Sequence, residues 1–145
     1  MTWPEPQPGL VIRYGYLWRR EAQQGREEAA KDRPCAIILA VVDDAGRQRI
    51  LALPVTHTPP AAATDAVEIP PATKQRLGLD EARSWIVVTE ANAFTWPGPD
   101  LRMLPGQGPE SAAYGFLPPG LFRLVRDRFL EARRRQRAAL VARTE

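Results

Sequence analysis

One cysteine and one histidine among 145 residues remove several chemistries at once. Cys35 has no partner within the chain for a disulfide, and Cys35 with His57 cannot make a Cys/His zinc site. Such cysteine usage fits a reducing compartment, so a cytoplasmic protein is expected. Long apolar runs are missing too. The longest, residues 35–42, has eight residues, far short of the roughly 20 that cross a bilayer as a helix. No charged stretch followed by an apolar one opens the sequence, so no secretory leader and no membrane partner are expected. Lysine is nearly absent. Lys31 and Lys74 are the only two, and arginine makes up the rest of the 20 basic residues. HExxH, Walker, GxSxG and GxGxxG patterns are all lacking. Nothing in the chain therefore asks for a metal or another cofactor.

Proline is abundant. Its 15 copies argue against an all-helical fold and for many short elements joined by turns. The length suits one domain, 1–145, able to bury a core without staples. A formal charge of +3 is compatible with a polyanionic partner.

Residues 1–8 (MTWPEPQP) read as an extended lead. GLVIRYGYLW (9–18) alternates like a strand. The charged stretch 18–32 reads as a short helix or a long loop. PCAIILAVV (34–42) and RQRILALPVT (47–56) read as two strands of a hairpin around Asp43-Asp44-Ala45-Gly46. AVEIP (66–70), SWIVVTEANAF (84–94) and LRML (101–104) read as further strands. PATKQRLGL (71–79) reads as a short central helix closed by Gly78. Residues 105–116 read as a flexible connection. A helix is expected over 118–143, with Leu121, Leu124, Val125 and Phe129 as its apolar stripe and 133–145 as a basic helical tail. The expected architecture is mainly β with α: a small, strongly bent sheet or barrel with the helix covering one side.

Two places could carry chemistry. Arg33 precedes Pro34, which lacks the N–H a ladder needs and so suits a strand's first residue. Thr56 and His57 follow the returning strand. Antiparallel pairing brings the open ends of a hairpin together, roughly 5 Å apart across the ladder. A guanidinium, a hydroxyl and the one imidazole then converge. The first can stabilise a phosphorane-like transition state, the second can donate to a phosphate oxygen, and the third can move a proton near neutral pH. RNA brings its own nucleophile, the 2′-OH, so such a site could cleave it without metal. Competing readings are a surface ion pair for Arg33, a solvated loop residue for His57 and an ordinary strand end for Thr56. The run Arg133-Arg134-Arg135 with Arg137 reads first as a solvated helix face. Trp96, in TWPGPD, is the best candidate platform for stacking a base.

The order of these signals resembles the MazF/PemK family of toxin–antitoxin toxins. Gly9-Leu10-Val11-Ile12 leads to a charged loop. Arg33-Pro34 then stands before an apolar strand, Leu53-Pro54-Val55-Thr56 matches the strand end "vPlT", and Gly78-Leu79 with Ser84 to Val88 matches "gL…S.v". The resemblance covers roughly residues 9–132. It implies an SH3-like barrel, a homodimer, and a metal-independent endoribonuclease on single-stranded RNA, neutralised by a cognate antitoxin. It places Arg33 and Thr56 at the scissile phosphate. His57 matches no family position, and its role as acid or base is inferred from chemistry. Arg19, Arg20, Trp96 and Arg102 are the expected RNA contacts. Relatives carry an arginine shortly after the strand ending at Thr89, whereas 90–96 here has none. Alternatives are a non-catalytic relative that binds RNA or protein through the same face, or a topoisomerase-directed toxin.

Overall fold

The computed structural model describes residues 3–105 and 111–143. Expectations that fall on 1–2, 106–110 and 144–145 lie outside the described residues. Among those described are eight strands: β1 (Leu10–Tyr14), β2 (Arg33–Val42), β3 (Gln48–Thr56), β4 (Ala66–Glu68), β5 (Trp85–Val87), β6 (Glu90–Thr95), β7 (Ala113–Phe116) and β8 (Ala139–Ala142). Three α-helices accompany them: α1 (Arg19–Gln23), α2 (Pro71–Leu77) and α3 (Pro119–Arg134).

The β2–β3 hairpin is the centre of the sheet. Its turn is held by the Asp43 carboxylate, which accepts from the N–H groups of Ala45 and Arg47 at 3.0 and 2.9 Å. Gly46 takes a positive φ of 80° there, which costs a glycine little. Strands run in the order β4-β5-β3-β2-β1-β7, and β6 pairs with both β3 and β8. No pairing joins β4 to β7 among the described residues, so the sheet is mainly antiparallel and not closed. β3 lends one edge to two neighbours. Arg49 to Ala52 pair with β6, and Val55 and Thr56 pair with β5.

Apolar side chains line both faces of β2. Ala36 and Ile38 join Leu53, Val55, Ile86, Val125 and Phe129 on one side. Cys35 and Ile37 join Leu10, Ile12, Ile50 and Phe94 on the other. A strand buried on both faces shows no alternation, hence the unbroken apolar run. The burial stops early, however. Leu39, Val41 and Val42 are exposed, beyond a register shift between Ile37 and Leu39.

Four expectations are corrected. The stretch 84–94 is two strands, because β5 and β6 pair with different parts of β3. Residues 101–104 form no strand, and only Leu101 bridges to Tyr14. Residues 113–116, expected as a connection, pair with β1 as β7. The C-terminal helix ends at Arg134, not at 143. Gln136 takes a φ of 57°, and Ala139–Ala142 pair parallel with β6. Within the expected basic tail, Arg133 and Arg134 end α3, and the described residues beyond them form a turn and β8. On α3 the buried stripe is Val125, Phe129 and Ala132, whereas Leu124 is exposed.

Candidate active site

The hairpin register sets the site. Cys35 pairs with Pro54, so two further steps along each strand bring Arg33 opposite Thr56. Arg33 Nη1 donates to the Val55 carbonyl at 3.2 Å. Its guanidinium lies 4.9 Å from the centre of the Trp18 ring, and that of Arg20 lies 5.3 Å from the same ring. Both are within range of a cation–π contact. Arg33 Nε is buried and has no hydrogen-bond partner. Burial lowers the pKa of this group, although nearby carboxylate and thiol groups oppose that. Arginine keeps its charge regardless.

A cavity of about 550 Å³ opens beside these groups, with Arg33, Thr56, His57, Arg20, Lys31 and Trp18 in its wall. All three expected catalytic residues therefore share one cavity, together with Arg20. Thr56 Oγ accepts from the Thr58 N–H at 3.2 Å, which leaves its hydroxyl proton to donate. His57 Nε2 lies 2.9 Å from Asp80 Oδ2. Its Nδ1 lies 2.9 Å from the Arg83 carbonyl and 3.2 Å from Ser84 Oγ.

Lys74 is the residue that sequence reasoning missed here. It sits on α2 and is buried, with its ammonium on Asp80 Oδ1 at 2.9 Å, Ser84 Oγ at 2.7 Å and the Ala82 carbonyl. An ammonium has three donors, and all three are matched. Lys74 thus anchors Asp80 and Ser84, the two side chains that hold the His57 ring. The hydrogen bond from Lys74 keeps the Asp80 carboxyl below its usual range, with desolvation opposing and the nearby imidazole assisting. The local signal was Gly78, which caps α2 at a φ of 72° and turns the chain back past Lys74.

β6 positions the other wall. Glu90 Oε1 accepts from the Arg19 N–H at 2.9 Å and from the Tyr16 hydroxyl at 3.1 Å. Asn92 is buried, and its amide clamps Leu17 N–H and C=O at 2.9 and 2.7 Å. These bonds fix residues 16–19 and so aim Trp18. Burial and the Glu90 charge raise the pKa of the Tyr16 hydroxyl.

The other expected RNA contacts are not all brought together. Arg19 is exposed and outside the cavity lining. Arg102 faces Asp32 at 3.6 Å and donates to the Pro99 carbonyl at 2.6 Å, away from that cavity. Trp96 is at the opposite end of β3. Its N–H donates to the Gln48 carbonyl at 2.9 Å, roughly 26 Å along the strand from Thr56. The run at the end of α3 is tied down. Arg134 and Arg135 pair with Glu131, and Arg137 pairs with Asp65. A buried arginine does face β6, but it comes from the C-terminus. Arg143 bonds Asn92 Oδ1 at 3.0 Å, the Gly15 carbonyl at 2.6 Å and Asp100 at 3.0 Å.

Among the described residues no cluster of three or more His, Cys, Asp or Glu side chains could hold a metal ion. No helix there is long and apolar enough to cross a membrane. Comparison with known protein families and with curated proteins returns no match. Chemically, the cavity sets the Arg33 and Arg20 guanidiniums and Lys31 beside the Thr56 hydroxyl, with the carboxylates of Glu21 and Asp65 also in its wall; cations so placed suit a phosphate diester.

Proposed function

We propose that the protein is a metal-independent endoribonuclease acting on single-stranded RNA, of the kind that serves as the toxin of a toxin–antitoxin pair. The observation that carries this is the meeting of Arg33, Thr56 and His57 on one cavity. In this reading the scissile phosphate sits on Arg33, and Lys31 and Arg20 add charge. Thr56 donates its hydroxyl proton to a non-bridging oxygen. The RNA 2′-oxygen attacks phosphorus as its proton leaves, and the bond to the 5′-oxygen breaks as that oxygen is protonated. The products are a 2′,3′-cyclic phosphate and a 5′-hydroxyl. Arg33 stabilises the negative charge that builds on the non-bridging oxygens in between, which is where a preorganised cation lowers a barrier most. His57 is the group for proton transfer. The same reading takes the bent sheet as SH3-like, the active form as a homodimer and the inhibitor as a cognate antitoxin.

A second reading has its own support. Both ring nitrogens of His57 already face protein acceptors or Ser84. A site whose imidazole stays so held binds a phosphate chain without cutting it. Incubation with single-stranded RNA in EDTA separates the two. Cleavage that Arg33→Ala abolishes supports the nuclease. Retention of intact RNA by the wild type, lost in Arg33→Ala, supports the binder.

A further inference from the structure

Residues 15–18 lie between β1 and α1 and belong to neither. No ladder fixes this stretch, yet it ends in Trp18, the ring on which the Arg33 guanidinium rests. Leu17, just before it, is buried, so both of its backbone groups need partners. One side chain supplies them. The Asn92 amide accepts from the Leu17 N–H at 2.9 Å and donates to the Leu17 carbonyl at 2.7 Å. A carboxamide carries an acceptor and a donor on one group, so Asn92 does for Leu17 what a neighbouring strand does in a ladder.

Arg143 decides which way that amide points. Its own N–H donates to the Ala93 carbonyl at 2.9 Å, one step beyond β8. Its Nη1 lies 3.0 Å from Asn92 Oδ1 and 2.6 Å from the Gly15 carbonyl, and its Nη2 lies 3.0 Å from Asp100 Oδ2. A guanidinium only donates. An amide turned over would set its NH2 against that guanidinium, so Oδ1 is held toward Arg143 and the Leu17 N–H. The same guanidinium also ties down Gly15, at the start of the stretch. A chain of contacts thus runs from the C-terminal strand through Asn92 and Leu17 to Trp18, and from Trp18 to Arg33.

We propose that Asn92, with its amide oriented by Arg143, is a positioning residue for the phosphate site, acting through Trp18 on Arg33. This rests on the reading of the Arg33 cavity as an RNA-phosphate site, whether or not cleavage follows. Asn92→Asp keeps the size and the contacts to the Leu17 N–H and Arg143, but sets an oxygen against the Leu17 carbonyl. The test is a double-mutant cycle with Trp18→Leu. Labelled single-stranded RNA with 2′-O-methyl sugars, which binds without being cut, is titrated by fluorescence anisotropy. Asn92→Asp alone is expected to weaken binding by about 2- to 30-fold, the range a contact such as that between Arg33 and Trp18 can supply. In the Trp18→Leu background it is expected to cost less than about twofold, because residues that act through one another are not additive. The charge that Asn92→Asp adds acts on RNA in both backgrounds, so the cycle removes it. A merely structural role would lower the urea midpoint and leave the affinity of the folded protein unchanged. Arg143→Lys keeps a cation but loses the guanidinium fork. It is expected to show the same non-additivity, and it carries the cycle where Asn92→Asp does not fold. Equal losses in both backgrounds, or wild-type affinity in Asn92→Asp, overturn the positioning role and leave the phosphate reading intact. Wild-type affinity in Arg143→Lys overturns the part given to Arg143. Absence of RNA binding by the wild type overturns the phosphate reading and the positioning role with it.

Discussion

The Arg33 guanidinium rests 4.9 Å from the centre of the Trp18 ring while Nη1 donates to the Val55 carbonyl. A long cation is thereby pinned on two sides at the mouth of a strand. Cation–π contacts of this kind are worth about 0.5–2 kcal/mol. If the proposed function holds, Trp18→Leu is expected to lower RNA affinity by about 2- to 30-fold, measured by fluorescence anisotropy with labelled single-stranded RNA. Unchanged affinity would show that Arg33 needs no such support.

Lys74 gives a stability prediction. Lys74→Met removes the ammonium donor from the buried Ser84 Oγ and from Asp80, and leaves the Ala82 carbonyl with only the Ser84 hydroxyl at 3.2 Å. A buried polar group left unpaired costs about 1–3 kcal/mol. Urea unfolding should show a loss of that order or somewhat more, with the midpoint lowered and the slope unchanged.

Acid lability follows from Asp80. Its folded-state pKa is depressed, chiefly by the hydrogen bond from Lys74. Such a carboxyl contributes stability that is complete above its unfolded value, about 3.9, and that is lost as pH falls through the folded value. Asp80→Asn removes this contribution. Its stability should fall less steeply than that of the wild type below about pH 4, read from urea midpoints across an acid series. A partial effect is expected, because Asp43, Glu68 and Glu131 are depressed as well.

Arg143 makes β8 part of the fold. Its side chain is 1% exposed and paired with Asp100. Arg143→Leu leaves Asp100 with Arg102 at 3.8 Å alone and takes the donor from the Gly15 carbonyl and Asn92 Oδ1; breaking a buried pair from one side costs up to about 3–5 kcal/mol. Thermal unfolding should register a large drop. A silent variant would mean that the C-terminal strand adds little.

The sequence makes the hairpin legible because its signals are local: the DDAG turn, the proline at the start of one strand, the threonine at the end of the other. The meeting of Arg33 with Thr56 follows from that pairing alone. Arg20 and His57 were also expected at the site and line the same cavity. Three features were hidden for physical reasons. Residues 139–142 (ALVA) suit helix and strand alike, and only pairing with β6 decides between them. Lys74 looks like a surface lysine on a short helix until the loop after Gly78 folds back on it. Trp96 looks available for stacking, yet the length of β3 carries it to the far end of the sheet. The exposed half of β2 was equally hidden, because Leu39 and Val41 differ in no local way from Ile37 and Ile38.

RNA end chemistry offers the decisive measurement. Purified protein is incubated in EDTA with single-stranded RNA, alongside Arg33→Ala and an RNA bearing 2′-deoxy sugars. The proposed function predicts fragments ending in 2′,3′-cyclic phosphate and 5′-hydroxyl from the wild type, none from the 2′-deoxy substrate and none from Arg33→Ala. Intact RNA with the wild type, or equal cleavage by Arg33→Ala, would contradict it.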